Sequence, residues 1–177
     1  GLVQELMPTA TDAGRFLTGL NHGLREIFRR LNEPLIATAF YLIADAARNE
    51  LRFASAGHPS PLRVHRVADV VEPLRKHDPR HGPGLGLFDE PVYPTCRCPL
   101  TEADLVILFT DGLYEILGAE GGEFGLDRLC AAVQRRVHLR PAQLFDELLE
   151  EAQTFSGRKE FTDDVCLVAV ERSEAER

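Results

Sequence analysis

The sequence predicts a layered α+β sandwich, and three observations carry that prediction. Apolar runs of strand length follow one another with only short turn segments between them, the pattern of hairpin-connected antiparallel strands. Several of these runs are apolar on both faces, so they need cover above and below. Helical periodicity appears once before the strands and twice more before a last strand, which supplies the covering layers.

Thr11 or Asp12 can cap a first long helix, in which Phe16, Leu17, Leu20, Leu24, Ile27, Phe28 and Leu31 recur every three or four residues. It ends near Asn32 and Pro34, and a short helical or turn segment over Leu2 to Met7 precedes it. Leu35 to Ala44 reads as a buried strand, Asp45 to Glu50 as turn chemistry, and Leu51 to Ala54 as the second arm of a hairpin. Pro59 and Pro61 break the chain before a strand over Leu62 to Val67, with Val70 to Leu74 as its pairing partner. His77 to Gly86 is a loop rich in Pro and Gly. Val92 to Cys98, interrupted by Pro94, fits only an edge strand, whereas the uninterrupted Leu105 to Phe109 fits a central one. Leu126 to Val137 and Pro141 to Phe155 are helical, with Pro141 at a first helical position. Val165 to Val170 is read as another buried strand, and the chain is polar from Glu171 onward. The expected organisation is one domain over residues 1–172 and a polar tail over 173–177.

Composition narrows the function classes. With 177 residues, 44% hydrophobic and 27% charged, the chain can bury a single core, and disorder, collagen and coiled coil have no support. A net charge of -8 and no basic stripe with interleaved aromatics argue against a nucleic-acid partner. Four cysteines at 96, 98, 130 and 166 match neither a disulfide scaffold nor a zinc ribbon. No apolar run spans a membrane and no leader pattern opens the chain, so a cytoplasmic location is the default expectation.

Two places set acidic residues against the end of an apolar strand: Phe109-Thr110-Asp111-Gly112 after one, and Phe161-Thr162-Asp163-Asp164 before another. If those strands are antiparallel neighbours, both sets of carboxylates emerge at the same edge and three donors converge. Ionised carboxylates gathered at a core boundary repel one another and are tolerated when protons or hard cations neutralise them. The pattern by itself admits a second reading, in which Asp-Gly is an ordinary turn and Thr-Asp-Asp a polar loop.

Four segments occurring in order extend the comparison: Ala54-Ser55-Ala56-Gly57-His58-Pro59, Gly84-Leu85-Gly86-Leu87, Leu108-Phe109-Thr110-Asp111-Gly112-Leu113-Tyr114-Glu115 and Asp163-Asp164-Val165-Cys166-Leu167. From about Leu17 to Val170 the chain resembles bacterial metal-dependent, type 2C-like serine/threonine phosphatases of the sporulation stage II protein E and sigma-B regulator subfamily. The resemblance implies an α-β-β-α sandwich of two antiparallel sheets flanked by helices, with two Mn2+ or Mg2+ ions at one edge. It implies that Asp111 and Asp163 are metal ligands serving catalysis, that Asp164 joins them, and that Gly112, Glu115 and His58 form a second tier around the site. His58 also reads as a loop-packing residue. The family's upstream Gly-Asp-aromatic and Asp-x-x-Gly-His-Gly motifs do not occur in this sequence. The resemblance therefore implies an amino-terminally truncated domain holding about half of the metal shell.

The implied activity is hydrolysis of phosphoserine or phosphothreonine on a phosphorylated anti-sigma-factor antagonist, in a parent protein that could join this domain to an upstream sensor or receiver domain. The alternatives are a non-catalytic, pseudophosphatase-like module that binds a regulatory partner, and a metal-independent ligand-binding sandwich.

Overall fold

The computed structural model describes residues 1–31, 35–74, 82–119 and 121–172. The polar tail over 173–177 and the first part of the Pro- and Gly-rich loop, 77–81, lie outside the described residues. In chain order the elements are α1 (Leu2–Glu5), α2 (Ala13–Leu31), β1 (Ala39–Asp45), β2 (Glu50–Ala56), β3 (Leu62–His65), β4 (Val70–Pro73), β5 (Cys96–Pro99), β6 (Asp104–Phe109), α3 (Gly125–Gln134), α4 (Pro141–Ser156) and β7 (Leu167–Glu171). This is the expected mixture of helices with two antiparallel sheets. The chain divides into two compact units, Gly1–His58 with His77–Thr101, and Pro59–Lys76 with Glu102–Arg177.

The first unit is built on α2 and a three-stranded sheet of order β1-β2-β5. Asp12 caps α2 as expected: its Oδ1 accepts from Arg15 N at 3.1 Å and from Thr95 Oγ1 at 2.8 Å. Those two bonds, Arg15's first, hold the Asp12 carboxyl below its ordinary value of 3.8. Ala13, Phe16 and Leu17 enter the core beside Ala54, Ala56, Leu85 and Tyr93, and Phe16 stacks on Tyr41 with ring centroids 4.1 Å apart. Buried Asn21 ties α2 to the following loop, donating to Phe88 O at 3.1 Å and accepting from Gly86 N at 2.8 Å. The apolar stripe outruns its cover, since Leu31 is 57% exposed.

The hairpin runs from Ala39↔Ala56 to Asp45↔Glu50, with β5 on the other side of β2. Its first strand begins at Ala39 rather than Leu35, and Leu35 and Ile36 are exposed. The segment ending at Gly86 is more ordered than a plain loop. Leu85 and Ala37 exchange backbone bonds of 2.7 and 3.1 Å, and Gly82 N donates to Ser55 O at 3.1 Å. As Pro94 suggested, β5 is a short edge strand.

The second unit holds a four-stranded antiparallel sheet of order β4-β3-β6-β7. Central β6 contributes Leu105, Ile107 and Phe109 to a core shared with Leu62 and Val64 of β3, Leu129 and Val133 of α3, and Leu144 and Leu148 of α4. Pro141 opens α4, and Gly157, at φ 67°, closes it in the left-handed conformation. Helix α3 stops at Gln134, short of the expected Val137, and Arg66 donates to the carbonyls of Val137 and Leu139 at 3.2 and 3.1 Å. Arg66 also pairs with Glu171. Beneath this, Arg63 pairs with Asp104 at 2.6 Å, and Asp104 is 2% exposed.

Two strand expectations are corrected. The run from Leu35 to Ala44 is not a buried strand, since β1 lies at the edge of its sheet and none of its residues is fully buried. The last strand is an edge strand rather than a buried one, and Val168 on it is 47% exposed. No disulfide joins the four cysteines, and among the described residues no helix is long and apolar enough to cross a membrane.

Candidate metal centre

Strands β6 and β7 are antiparallel neighbours whose register runs from Leu105↔Glu171 to Phe109↔Leu167. The end of β6 therefore faces the start of β7, and the acidic segments flanking them meet at one edge of the sheet. The ladder continues one step past the regular strands, with Thr110 N donating to Cys166 O at 3.2 Å.

Thr110 is extended, and Asp111 then opens a short 3₁₀ turn, Asp111–Leu113. Leu113 N bonds Thr110 O at 3.2 Å, while Tyr114 N and Glu115 N both donate to Asp111 O at 2.9 Å. Leu113 is fully buried and anchors the turn in the core, which leaves the Asp111 side chain at the surface. Gly112 is required by space. A Cβ there would lie 2.6 Å from Asp164 O and 3.3 Å from the Asp163 carbonyl carbon, so only a residue without one lets the second acidic segment close against the turn.

The Thr110 hydroxyl completes the join by donating to Asp164 O at 2.8 Å and accepting from Cys166 N at 2.9 Å. Each of the two aspartates nearest the join uses one oxygen locally: Asp111 Oδ1 accepts from Gly112 N at 3.1 Å, and Asp163 Oδ1 from Asp164 N at 2.7 Å. Both side chains are exposed, and neither Oδ2 has a hydrogen-bond partner among the described residues. The half-buried phenol of Tyr114 registers the local field. Burial raises its pKa first, and the charges of Glu115, Asp111 and Glu123 raise it further.

Of the residues singled out from sequence, Asp111, Gly112, Asp163 and Asp164 are gathered by this pairing, and Glu115 follows in the same turn. His58 belongs to the first unit, half-buried, with its ring 6.3 Å from that of Phe40 and its carbonyl accepting from Ser55 Oγ. The β6–β7 pairing does not involve it. Thr110, whose side chain makes the join, carried no assignment in the sequence reading; its place between strand end and aspartate was the available signal. Also unforeseen is a pocket of about 240 Å³ lined by Glu115, Leu117, Arg158, Phe161 and Thr162, residues that flank the two acidic segments in sequence.

The donor chemistry suits a hard cation, being all oxygen and carrying negative charge. Asp111 and Asp163, with Asp164 adjacent, fit as part of such a site. Among the described residues no group of three or more His, Cys, Asp or Glu is arranged to hold an ion. The expected convergence of three carboxylates at this edge is therefore not found among the described residues.

Comparison with known proteins places this edge in context. The sequence model of the family described as Stage II sporulation protein E (SpoIIE) matches residues 1–173 and so spans both units. No curated protein sequence matches the chain. Similar solved structures include the SiaA-PP2C domain of Pseudomonas aeruginosa, at 17% identity and a TM-score of 0.80, covering 97% of this chain and 66% of that one. The RsbU and RsbW domains of Rv1364c from Mycobacterium tuberculosis match at 19% identity and a TM-score of 0.68, covering 95% and 44%. The phosphatase domain of SpoIIE from Bacillus subtilis, presoaked with Mn, matches at 18% identity and a TM-score of 0.60, covering 89% and 66%. The chain spans less than two thirds of each of these structures. With a family match across nearly its whole length and the fold of these phosphatase domains, the chain belongs to the SpoIIE family and has a PP2C-type phosphatase fold.

Proposed function

We propose that the chain is part of a metal-dependent protein serine/threonine phosphatase acting on a phosphorylated regulatory protein of the anti-sigma-factor-antagonist kind. The observation that carries this reading is the closure of the Asp163–Asp164 segment on the Asp111 turn, with an outward oxygen left on both Asp111 and Asp163. Asp111 and Asp163 would hold the metal, and Asp164 would support them from the adjacent position. When bound, a pair of Mn2+ or Mg2+ ions supplies Lewis-acid chemistry, acidifying water and neutralising charge on the phosphoryl oxygens.

The chain's own residues position rather than transfer protons. The buried Leu113 anchor and the Gly112 contact fix where the two carboxylates stand, which favours one placement of the phosphoryl group over many. The pocket running from Glu115 to Thr162 gives residues flanking a phosphorylated side chain a place to rest, which suits a protein substrate better than a small ester. A regulatory substrate is also in keeping with a similar structure that holds RsbU and RsbW domains of one protein.

The test is a Mn2+-dependent assay on a phosphoserine protein, using this chain and a version carrying the family's two upstream motifs. The longer version should hydrolyse the substrate, and Asp111→Ala in it should lower the rate at least a hundredfold while leaving the melting temperature nearly unchanged. If the longer version shows no hydrolysis but binds micromolar Mn2+, the non-catalytic reading replaces this one.

A further inference from the structure

We propose that Thr110 is a positioning residue for the metal centre, its hydroxyl setting the separation of the Asp111 and Asp163 carboxylates. This inference rests on the metal-binding reading above. Backbone pairing alone would hold the two strands in register, yet it ends with the bond from Thr110 N to Cys166 O. Beyond that point the chain from β6 turns into the core through Leu113, and among the described residues β7 is an edge strand paired with β6 alone, so no second strand holds the other segment in place.

The hydroxyl bridges that gap from both directions. It accepts from Cys166 N at 2.9 Å and donates to Asp164 O at 2.8 Å, so one oxygen satisfies backbone groups on both sides of Val165. A hydroxyl has the one donor and two acceptor lone pairs this needs, and neither a methyl nor an amide in its place can do both at that distance. Asp163 and Asp164 adjoin the bonded carbonyl, and Asp111 adjoins the bonding side chain, so the hydroxyl is the shortest side-chain connection between the carboxylates. The Gly112 contact limits how closely the segments approach, and the Thr110 bonds limit how far apart they drift. Together they hold the gap from both sides, as two ligands of one ion centre require.

The experiment compares Thr110→Val, which keeps the shape and removes the hydroxyl, with Thr110→Ser, which keeps the hydroxyl. Amide hydrogen exchange over residues 163–167 is measured in metal-free protein, and Mn2+ affinity by calorimetry, both in the version that carries the family's two upstream motifs. Thr110→Val should speed exchange of the Cys166 amide at least tenfold and weaken Mn2+ binding about tenfold or more. Thr110→Ser should restore both to within about threefold of the wild type. Val exchange and affinity equal to wild type overturn this inference alone. A loss of affinity that Ser does not rescue also overturns it, since that assigns the effect to packing of the methyl group. Wild-type protein that takes up no Mn2+ overturns the metal-binding reading and this inference with it, and is recognised by a Cys166 amide that still exchanges faster in Thr110→Val.

Discussion

Replacing Gly112 with alanine puts a methyl group where the Asp164 carbonyl already sits. The added carbon would lie 2.6 Å from Asp164 O and 3.1 Å from its carbonyl carbon, both backbone atoms that no rotamer change can move. An ordinary carbon-to-oxygen contact is about 3.3–3.6 Å, so the Asp163–Asp164 segment must retreat by roughly 0.7–1 Å. A retreat of that size stretches the 2.8 Å bond from Thr110 Oγ1 to Asp164 O out of range, a loss of about 1 kcal/mol, and the residual crowding adds about 1–3 kcal/mol. Alanine lowers unfolded-state entropy and returns about 0.4–1 kcal/mol, because the φ of Gly112 is not positive. The net expectation is a destabilisation of about 1–3.5 kcal/mol, a fall in melting temperature of roughly 2–14 °C for a chain of this size. Thermal unfolding in chelator measures the first effect and a Mn2+ titration measures the second, which should weaken because the carboxylates have been forced apart. A Gly112→Ala protein that melts within 1 °C of wild type and binds Mn2+ equally well would refute the claim that this contact sets the site.

Two further substitutions probe the scaffold. Asp104→Ala leaves Arg63 as a buried cation without its 2.6 Å partner, so urea unfolding should show a loss of about 3–5 kcal/mol, whereas replacing both residues with apolar ones of similar volume should recover most of it. Asp12→Ala removes the cap of α2 and should cost about 1 kcal/mol at neutral pH. Since the Asp12 carboxyl is held below its ordinary 3.8, its contribution is present in full above that value and is lost as pH falls through the lower folded value. The stability gap between wild type and Asp12→Ala should therefore close below about pH 4, and a gap that persists unchanged at pH 2 would show that the carboxylate is not the source.

The unbroken Leu105 to Phe109 run was legible as a central strand because a strand apolar on both faces has to be covered on both. The meeting of the two acidic segments was legible only as a condition, since nothing in the pattern of either strand names its neighbour. The same lack of strand order made Val165 to Val170 look buried, when its place at the sheet edge leaves Val168 half exposed. Periodicity placed the end of α2 correctly at Leu31 but not the exposure of that residue, and the apolar run began β1 at Leu35 rather than Ala39, because both signals report a tendency to fold rather than what lies against the surface. The caps read well at Asp12 and Pro141, where the cause is local. Thr110 was invisible as a tie because its bonds reach residues more than fifty positions away.

That separation carries a consequence for how the protein is made. Thr110 and Asp164 are 54 residues apart, and the span between them contains α3 and α4, which form from local contacts while the chain is still emerging. The sheet that presents Asp111 can assemble from β3, β4 and β6, but Asp163 is set beside it only when β7 pairs with β6. A chain that stops before Leu167 thus carries both acidic segments but lacks the strand that holds the second against the first.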